Sequence, residues 1–380
     1  MVVSADRFRD GVVSVLDPPE RLLCGPGPCN VSPRVWAAMA KPMLGHLDPD
    51  LIPILDEVVE LLRATYRRAD GLTLPLSSTG TAGAEAGIAA LVERGDTIIV
   101  GVAGYFGARI AEIARRHGAD VIEVSVPVGT CVPTEHLLEA LRAHPEARVL
   151  AVVHAETSTG VRQPLEELAA AVRATETLLF VDCVTSLGGI ELEPELWGID
   201  YCYSCSQKCL GAPPGLSPVS LSKRAFDRIR ERKHAFPFVF DFELLAGYWV
   251  ERPLTYHHTV PVPQIYALHE ALRTVLEEGL EACWRRHADA GAYLQEGLRE
   301  RGLELLADPE CQLPQLTAVR VPAGIDGRHV LNTLRTEHGI ELGGGLGSLA
   351  PPIWRIGLMG QNATRENAER VLAGLNAVLP

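Results

Sequence analysis

The chain has 380 residues, of which 47% are hydrophobic and 22% charged, a balance typical of a globular protein with a large core. Its 48 acidic and 35 basic side chains give a formal net charge of −13, which argues against a nucleic-acid partner or an anionic membrane surface. There is no apolar run of transmembrane length and no secretion signal, and nine scattered cysteines suit a reducing compartment, so we predict a cytoplasmic protein.

Helical patterns and short β-rich runs alternate along the first two thirds of the chain. After an irregular N-terminal arm, Ser32-Pro33 predicts a helix start, with serine as the N-cap. Helices are predicted near residues 51–69, 80–93, 105–117, 134–143 and 163–174, and strands at 97–101, 120–125, 149–153 and 178–181. Such alternation predicts an α/β fold with a mainly parallel sheet covered by helices.

The last third begins with a long helical stretch, near residues 265–301. It leads into a second α/β pattern with strands at 316–321 and 354–358 and helices at 326–338 and 364–378. We therefore predict three parts: an N-terminal arm (1–24), a large domain (25–265) and a small C-terminal domain (266–380).

A segment rich in small residues, Ser77-Ser-Thr-Gly-Thr-Ala-Gly-Ala-Glu85, follows an apolar run and opens an alanine-rich helix. Small residues let the backbone approach an anion, and the free N–H groups of a helix N-terminus favour phosphate. The segment matches neither a Walker loop nor the GxGxxG fingerprint, so the usual nucleotide-binding motifs are excluded. Taken alone, it is equally compatible with a well-capped turn.

Lys208 and Asp182 are the candidate catalytic pair. Lys208 lies between small residues and is followed by Pro213-Pro-Gly215, while Asp182 ends the apolar run 178–181. Ligand groups in α/β sheets gather at the carboxyl ends of strands. An aldehyde cofactor such as pyridoxal phosphate needs an amine for a Schiff base and a carboxylate that keeps its ring nitrogen protonated. The pair therefore indicates an enzyme with this cofactor.

Further motifs occur in a fixed order from about residue 22 to the end of the chain. They are Gly25-Pro-Gly-Pro28, Gly45-His-Leu-Asp48, Thr79-Gly-Thr-Ala-Gly83, His154-Ala-Glu-Thr-Ser-Thr-Gly160, Val181-Asp-Cys-Val-Thr-Ser-Leu-Gly-Gly189, Ser206-Gln-Lys208, Ala212-Pro-Pro-Gly215, Tyr256-His-His-Thr259 and Trp354-Arg-Ile-Gly-Leu-Met-Gly360. In these motifs the chain resembles the class V pyridoxal phosphate-dependent aminotransferases, and among them the alanine–glyoxylate and serine–glyoxylate aminotransferase group. The resemblance implies fold type I, with a seven-stranded-type, mainly parallel sheet in the large domain and a smaller C-terminal α/β domain.

The resemblance also implies how the cofactor is held. Lys208 would form the Schiff base and move the proton, and Asp182 would pair with the ring nitrogen. The other implied cofactor-binding residues are Val184 and Phe106 on the two ring faces, Thr79, Gly80, Thr81 and Gln207 at the phosphate, and Thr157 near the ring hydroxyl. Tyr256 and Thr259 would reach the phosphate of the neighbouring subunit, which implies a homodimer with shared active sites.

Three residues are implied in substrate binding. Arg355 would bind the substrate carboxylate as a two-pronged fork, and Gly25 would line a pocket for small substrates. Cys29 stands where many relatives have serine, so it could narrow or tune that pocket. The glycine-rich residues 343–347 are either a flexible connector or, as we favour, a loop closing near Arg355.

These features predict an aminotransferase that moves an amino group from alanine or serine to glyoxylate or pyruvate. The alternative is a pyridoxal phosphate-dependent lyase on the same scaffold, either a desulfurase or an enzyme of β-elimination or decarboxylation. Cys205 and Cys209 near Lys208 give it mild support, although a desulfurase carries its reactive cysteine on a loop well downstream. A structural zinc site at Cys202, Cys205 and Cys209 would need further ligands, so we predict buried thiols and no metal. A non-catalytic cofactor-binding protein is disfavoured by the joint presence of Lys208, Asp182 and Arg355.

Overall fold

The structure, a computed structural model, describes residues 16–234, 237–347 and 352–380. In chain order its strands are β1 (Leu22–Leu23), β2 (Leu72–Leu76), β3 (Thr97–Val102), β4 (Asp120–Ser125), β5 (Val149–Val153), β6 (Ala155–Glu156), β7 (Val161–Arg162), β8 (Leu178–Asp182), β9 (Tyr201–Tyr203), β10 (Ser217–Leu221), β11 (Leu316–Arg320), β12 (Ile340–Glu341), β13 (Gly343–Gly344) and β14 (Ile353–Gly357). Its helices are α1 (Pro33–Met39), α2 (Ile52–Tyr66), α3 (Gly80–Leu91), α4 (Tyr105–Arg116), α5 (Thr134–Ala143), α6 (Glu166–Arg173), α7 (Pro194–Trp197), α8 (Lys223–Arg230), α9 (Phe242–Trp249), α10 (Val262–Glu278), α11 (Leu280–Glu300), α12 (Gly327–Glu337) and α13 (Arg365–Val378).

A seven-stranded sheet forms the centre of the larger part, in the order β2-β10-β9-β8-β5-β3-β4. Strand β10 runs antiparallel to both neighbours, and the other pairings are parallel. Strands β5 and β8 are buried along their whole length, as expected for strands covered by helices on both faces. The predicted α/β fold with a mainly parallel sheet is confirmed.

Strand β10 was not predicted from the sequence, and β9 was indicated only as a β-rich run before Lys208. In β10, Pro218 lies opposite Pro75 of β2, so two residues without an N–H face each other inside the sheet. The backbone oxygen of Pro218 instead accepts from the Ser204 N–H at 2.8 Å and from the Tyr66 hydroxyl at 2.9 Å. Proline and serine hide the alternation by which a strand is recognised.

The long helical stretch near 265–301 forms two helices, α10 and α11, rather than one. Gly279 separates them with a φ of +88°, in the left-handed region that favours glycine. The predicted helices at 134–143 and 364–378 agree with the observed ones to within one residue.

A three-stranded sheet, β11-β14-β13, forms the second α/β region. It packs with α11, α12 and α13 around a separate cluster of buried side chains that includes Leu298, Trp354 and Leu375. Full burial of an aliphatic side chain such as Leu298 contributes roughly 1.5–3 kcal/mol to the stability of the folded state. The division into large (25–265) and small (266–380) domains stays a prediction.

The N-terminal segment is attached to this second region. Strand β1 pairs with β12, and the Cys24 carbonyl accepts from the Gly357 N–H at 2.8 Å. Residues 1–15 of the predicted arm lie outside the described residues. Within the described part of the chain, we find no helix that is both long and apolar enough to cross a membrane.

Candidate active site

A cleft with an empty volume of about 720 Å³ lies at the carboxyl ends of the central strands. The segments that follow β2, β3, β5, β8 and β9 meet here, because these strands run in the same direction. Nine of the predicted cofactor residues line the cleft: Thr79, Gly80, Thr81, Phe106, Thr157, Asp182, Val184, Gln207 and Lys208.

Lys208 reaches the cleft from the loop after β9. That loop is pinned by bonds from the Ser206 N–H to the Leu216 oxygen (3.1 Å) and from the Ser206 hydroxyl to the Pro213 oxygen (2.5 Å). The Lys208 ammonium donates to the Pro26 carbonyl. Burial lowers the pKa of Lys208, since desolvation disfavours the charged amine. The amine is thus shifted towards the neutral form that a nucleophile or base requires.

Asp182 ends β8 and is buried. One carboxylate oxygen accepts from the Val184 N–H at 2.8 Å, and the other accepts from the Tyr203 hydroxyl. Desolvation raises the pKa of Asp182 to about 6, and the two hydrogen bonds oppose that rise. A cation placed against this carboxylate would hold it ionised.

The phosphate-type segment begins α3. The Thr79 hydroxyl caps the helix by accepting from the Ala82 N–H at 3.2 Å. A Cβ added at Gly80 would lie 3.1 Å from the Cys205 Cβ and 3.4 Å from a Val184 methyl, so glycine allows the helix start to approach the loop before Lys208. The N-terminal end of α3 therefore faces the cleft with its partial positive charge.

Arg355 lies in β14, buried, beside the cleft rather than in its lining. Its Nε donates to the Gly344 oxygen at 2.7 Å, and one terminal nitrogen lies 3.4 Å from the Thr157 oxygen. Burial lowers the pKa of Arg355 to about 10. The glycines 343 and 344 form β13 against β14, so this part of the glycine-rich segment flanks Arg355.

The other two candidate substrate residues lie next to Lys208 and Arg355. Cys29 is buried, and its thiol donates to the Lys208 backbone oxygen at 3.3 Å. Burial raises the pKa of the Cys29 thiol to about 11. Gly25 lies against β13 and β14, where a Cβ would be 3.4 Å from the Gly343 nitrogen. The segment 25–29 thus connects Lys208 to the strands β13 and β14, the second of which carries Arg355.

Tyr256 and Thr259 do not line the cleft of their own chain. Both are exposed, Tyr256 with 55% of its surface accessible. His258, between them, binds the Ser77 hydroxyl through Nε2 at 2.7 Å and His257 through Nδ1 at 2.8 Å. These histidines connect the segment 256–259 to the residues preceding the phosphate-type turn.

The cysteines near Lys208 are buried and free. The Cys209 thiol donates to the Thr185 oxygen at 3.3 Å, and the Cys202 thiol lies 3.7 Å from the Ser220 oxygen. Burial raises the pKa of Cys205 to about 12. Protonated, enclosed thiols are weak nucleophiles.

Some residues of the site were missed by the sequence reasoning. Tyr203, which donates to Asp182, was read only as part of a β-rich run. Arg109 lines the cleft and donates to the Thr81 hydroxyl at 3.1 Å. Glu156 lies in the motif 154–160, but no function was predicted for it. The one available signal for Arg109 was its helical spacing, because it lies one turn after Phe106 and therefore on the same face of the helix.

Pyridoxal phosphate fits the chemistry of these groups. The cleft offers an amine, a buried carboxylate and a helix N-terminus, which match an aldehyde, a pyridinium and a phosphate. Gln207 Oε1 and Thr185 Oγ1 are buried in its lining and have no hydrogen-bond partner among the residues that the structure describes. Buried polar atoms of this kind are normally satisfied, so they point to a polar ligand.

Comparison with known proteins gives concordant matches. The family described as aminotransferase class-V matches residues 54–367. An alanine–glyoxylate aminotransferase of Drosophila melanogaster is 39% identical over 95% of this chain and 93% of its own, and an (S)-ureidoglycine–glyoxylate transaminase of Bacillus subtilis 37% over 95% and 91%. A crystal structure of an alanine–glyoxylate aminotransferase from Nostoc sp. superposes with a TM-score of 0.95, with 46% identity and full coverage of both chains.

Proposed function

The chain belongs to the class V aminotransferase family and is a pyridoxal phosphate-dependent aminotransferase; from that premise we propose that it transfers an amino group from alanine or serine to glyoxylate. Glyoxylate is favoured over pyruvate because the names of both sequence relatives and of the Nostoc structure contain it. The name of the Bacillus relative adds (S)-ureidoglycine as a donor to be tested.

The observation that carries the proposal is the grouping of charges around one cleft. Lys208, Asp182 and the start of α3 line it, and the Arg355 guanidinium lies at its side. Such a set can hold a cofactor by three points and leave a fourth group for a substrate carboxylate.

Lys208 would hold the cofactor aldehyde, Asp182 the ring nitrogen, and residues 79–81 with Gln207 the phosphate. Phe106 and Val184 would enclose the ring, and Thr157 would lie near its hydroxyl. When bound, pyridoxal phosphate supplies an electron sink for the electrons left when the substrate Cα–H bond breaks.

Lys208 would carry the proton between the substrate Cα and the cofactor carbon. The lowered pKa of Lys208 favours the neutral amine that this task requires. The Pro26 carbonyl, which accepts a hydrogen bond from the Lys208 Nζ, would orient that amine.

Arg355 would bind the substrate carboxylate. Its Nε is used by the Gly344 oxygen, which fixes the guanidinium plane and directs the terminal nitrogens to the cleft side near Thr157. A Cβ added at Gly27 would lie 2.6 Å from the Lys208 Nζ. Backbone this close to the amine leaves room for small substrate side chains only.

A homodimer is part of the proposal. Apolar side chains are exposed in two segments, Trp36, Met43 and Leu47 in one, and Phe238, Val239, Leu244, Val250 and Tyr256 in the other. The segments adjoin, because the Tyr248 hydroxyl donates to the His46 oxygen at 3.0 Å and the Tyr256 ring lies 5.2 Å from that of His46. Exposed apolar side chains on two adjoining segments support association, and the nine free cysteines support a cytoplasmic location.

Donor alone, added to the cofactor-loaded protein, tests the chemistry. An aminotransferase should shift the visible absorbance band to that of the aminated cofactor and release one equivalent of 2-oxo acid without ammonia. Return of the original band with ammonia release would establish the lyase alternative instead. Alanine, serine and (S)-ureidoglycine, each paired with glyoxylate or pyruvate, then identify the substrates.

Borohydride reduction followed by peptide mapping tests the attachment site. The cofactor mass should be found on Lys208. A label on another lysine, or none in fully loaded protein, would overturn the assignment of Lys208.

A further inference from the structure

Glu156 is a buried carboxylate that the proposed chemistry does not use. It lies in β6, between the end of β5 and Thr157, and no part of it is exposed. A Cβ added at Gly104 would lie 2.6 Å from the Glu156 Cγ and 2.7 Å from its carboxyl carbon. The backbone just before α4 therefore rests directly on this side chain.

Four hydrogen bonds converge on the Glu156 carboxylate. Oε2 accepts from the N–H groups of Phe106 at 3.0 Å and Gly107 at 3.2 Å. Oε1 accepts from the Ser158 N–H at 3.0 Å and from its hydroxyl at 2.5 Å. The Ser158 oxygen in turn accepts from the Tyr105 N–H at 2.9 Å. The first three N–H groups of α4 are thus satisfied by Glu156 and Ser158.

Hydrogen bonding and burial act in opposite directions on the ionisation of the Glu156 carboxylate. Burial raises the pKa of Glu156, while its hydrogen bonds with Ser158, Gly107 and Phe106 work against that rise. Each oxygen accepts from two donors, and the three backbone N–H groups among them cannot accept a carboxyl proton. The N-terminal end of α4 adds its partial positive charge, and Arg355 lies close enough to interact electrostatically with Glu156.

The anchored backbone carries the groups that line one side of the cleft. Phe106 is held by its own N–H, and Arg109, one turn later, lies 5.0 Å from the centroid of the Phe106 ring. Thr157 is fixed between Glu156 and Ser158, and its oxygen lies 3.4 Å from an Arg355 nitrogen. The Glu156 carboxylate therefore holds the backbone of Phe106, and the next residue, Thr157, contacts the Arg355 guanidinium.

We infer that Glu156, with Ser158, is a positioning residue that fixes Phe106 against the cofactor ring by anchoring the start of α4. This inference rests on the proposed function for the identity of the ligand. The anchor itself exists in the cofactor-free protein and can be measured there.

Glu156→Gln tests the anchor. The glutamine amide has an NH₂ group in place of one carboxylate oxygen. Either the two N–H groups of α4 or the two donors of Ser158 therefore lose their acceptor. Hydrogen exchange in the cofactor-free protein should become faster at the amides of Phe106 and Gly107. Affinity for pyridoxal phosphate should fall roughly 10- to 100-fold, as expected when a contacting group is misplaced by about 1 Å.

Asp200→Asn is the matched control. Asp200 is also buried and accepts from the Leu179 N–H at 2.9 Å and the Ser222 hydroxyl at 2.8 Å, but it lies at the opposite end of the sheet. This variant should lose thermal stability while exchange at α4 and cofactor affinity stay unchanged. Should Glu156→Gln not fold, Ser158→Ala replaces it: the Tyr105 amide should exchange faster and cofactor affinity should fall, and no change in either would overturn the inference.

A double-mutant cycle distinguishes positioning from general stability. In a Phe106→Leu background, Glu156→Gln should weaken cofactor affinity by less than threefold, because the ring it positions is gone. Full additivity of the two losses would overturn the inference, as would unchanged exchange at Phe106 and Gly107. Failure of borohydride to label Lys208 would overturn the proposed function but leave the exchange result interpretable.

Discussion

At the level of single residues, burial shifts the two central groups of the cleft in opposite directions. It lowers the pKa of Lys208 and raises that of Asp182, so both are driven towards neutrality. An aldehyde that reacts with the amine and a cation beside the carboxylate would offset the free-energy cost of burying these two groups. The cleft is therefore more compatible with a bound cofactor than with water.

Asp182→Asn should change how the stability of the cofactor-free protein depends on pH. The folded-state pKa of Asp182, about 6, lies above its ordinary value of 3.8. The folded state then binds the proton more tightly, so the wild type loses stability as pH rises through this window. Urea unfolding should show that the free energy of unfolding of the variant, relative to wild type, rises between pH 3.8 and about pH 6 and is constant above. A difference that is independent of pH would contradict the shift.

Arg355→Lys should raise KM for amino donor and 2-oxo acid roughly 10- to 100-fold, since lysine cannot form a two-pronged fork. Cofactor affinity should be unchanged, because Arg355 lies beside the lining of the cleft. Arg320→Lys, an exposed residue of the same sheet paired with Glu304, is the control and should keep wild-type KM values. Equal losses in both variants would refute a carboxylate role.

At the level of elements, the site is built where helices start and parallel strands end. Helix α3 is capped by Thr79, the residue directly before it. Helix α4 has a glycine at its N-cap, and its first N–H groups donate instead to the distant Glu156 and Ser158. Two neighbouring helices thus reach the same cleft by different capping solutions, one local and one long-range.

Gly80→Ala should weaken pyridoxal phosphate binding by more than about tenfold, because the added Cβ pushes α3 away from Cys205 and Val184. Gly247→Ala in α9 is the matched control. Its added Cβ would be 3.6 Å from the Thr255 Cβ, and alanine is the better helix former by roughly 0.5–1 kcal/mol. Titration of cofactor-free protein gives the affinities. An unchanged cofactor affinity of the Gly80→Ala variant would mean that α3 can shift without weakening cofactor binding.

At the level of the whole molecule, the N-terminal segment 22–30 links the C-terminal region to the amine. Strand β1 joins β12, Pro26 accepts from Lys208, and Cys29 contacts the Lys208 backbone. Residues about 180 positions apart in sequence thus meet at Lys208.

Asn30→Ala should lower the free energy of unfolding by about 1–3 kcal/mol per partner left buried and unsatisfied. Its Oδ1 accepts from the Leu23 N–H and from the Asn362 side chain, each at 2.8 Å, and its Nδ2 donates to the Arg21 oxygen at 2.8 Å. Urea unfolding measures the change, with the exposed Asn332→Ala as control. A loss no larger than that of the control would mean that water replaces these bonds.

Hybrid dimers test whether subunits share active sites. Lys208→Ala and the double variant Tyr256→Ala/Thr259→Ala should each be nearly inactive. If residues 256–259 serve the partner's cleft, co-refolding equal amounts should restore about a quarter of wild-type activity, since half of the dimers carry one intact site. No recovery, although hybrids form, would place both functions in one subunit.

Local features allowed much of this to be predicted. Thr79 followed by small residues predicted a helix start with an anion-binding character, and Asp182 after four apolar residues predicted a strand end. The ends of α5 were predicted because their signals come from neighbouring residues. Proline opposite proline in β2 and β10 gave no such local signal, so a central strand was missed.

By itself, then, the sequence determined the alternating elements and the family, and it predicted Lys208, Asp182 and Arg355 as site residues. Only the tertiary structure decided that Glu156 anchors α4, that Tyr203 donates to Asp182, that Arg109 faces Thr81 and that Pro26 meets Lys208. The reason is physical: helix and strand periodicity record local burial, whereas a hydrogen bond between distant segments depends on how the chain closes on itself and leaves no periodic trace in the residues that form it.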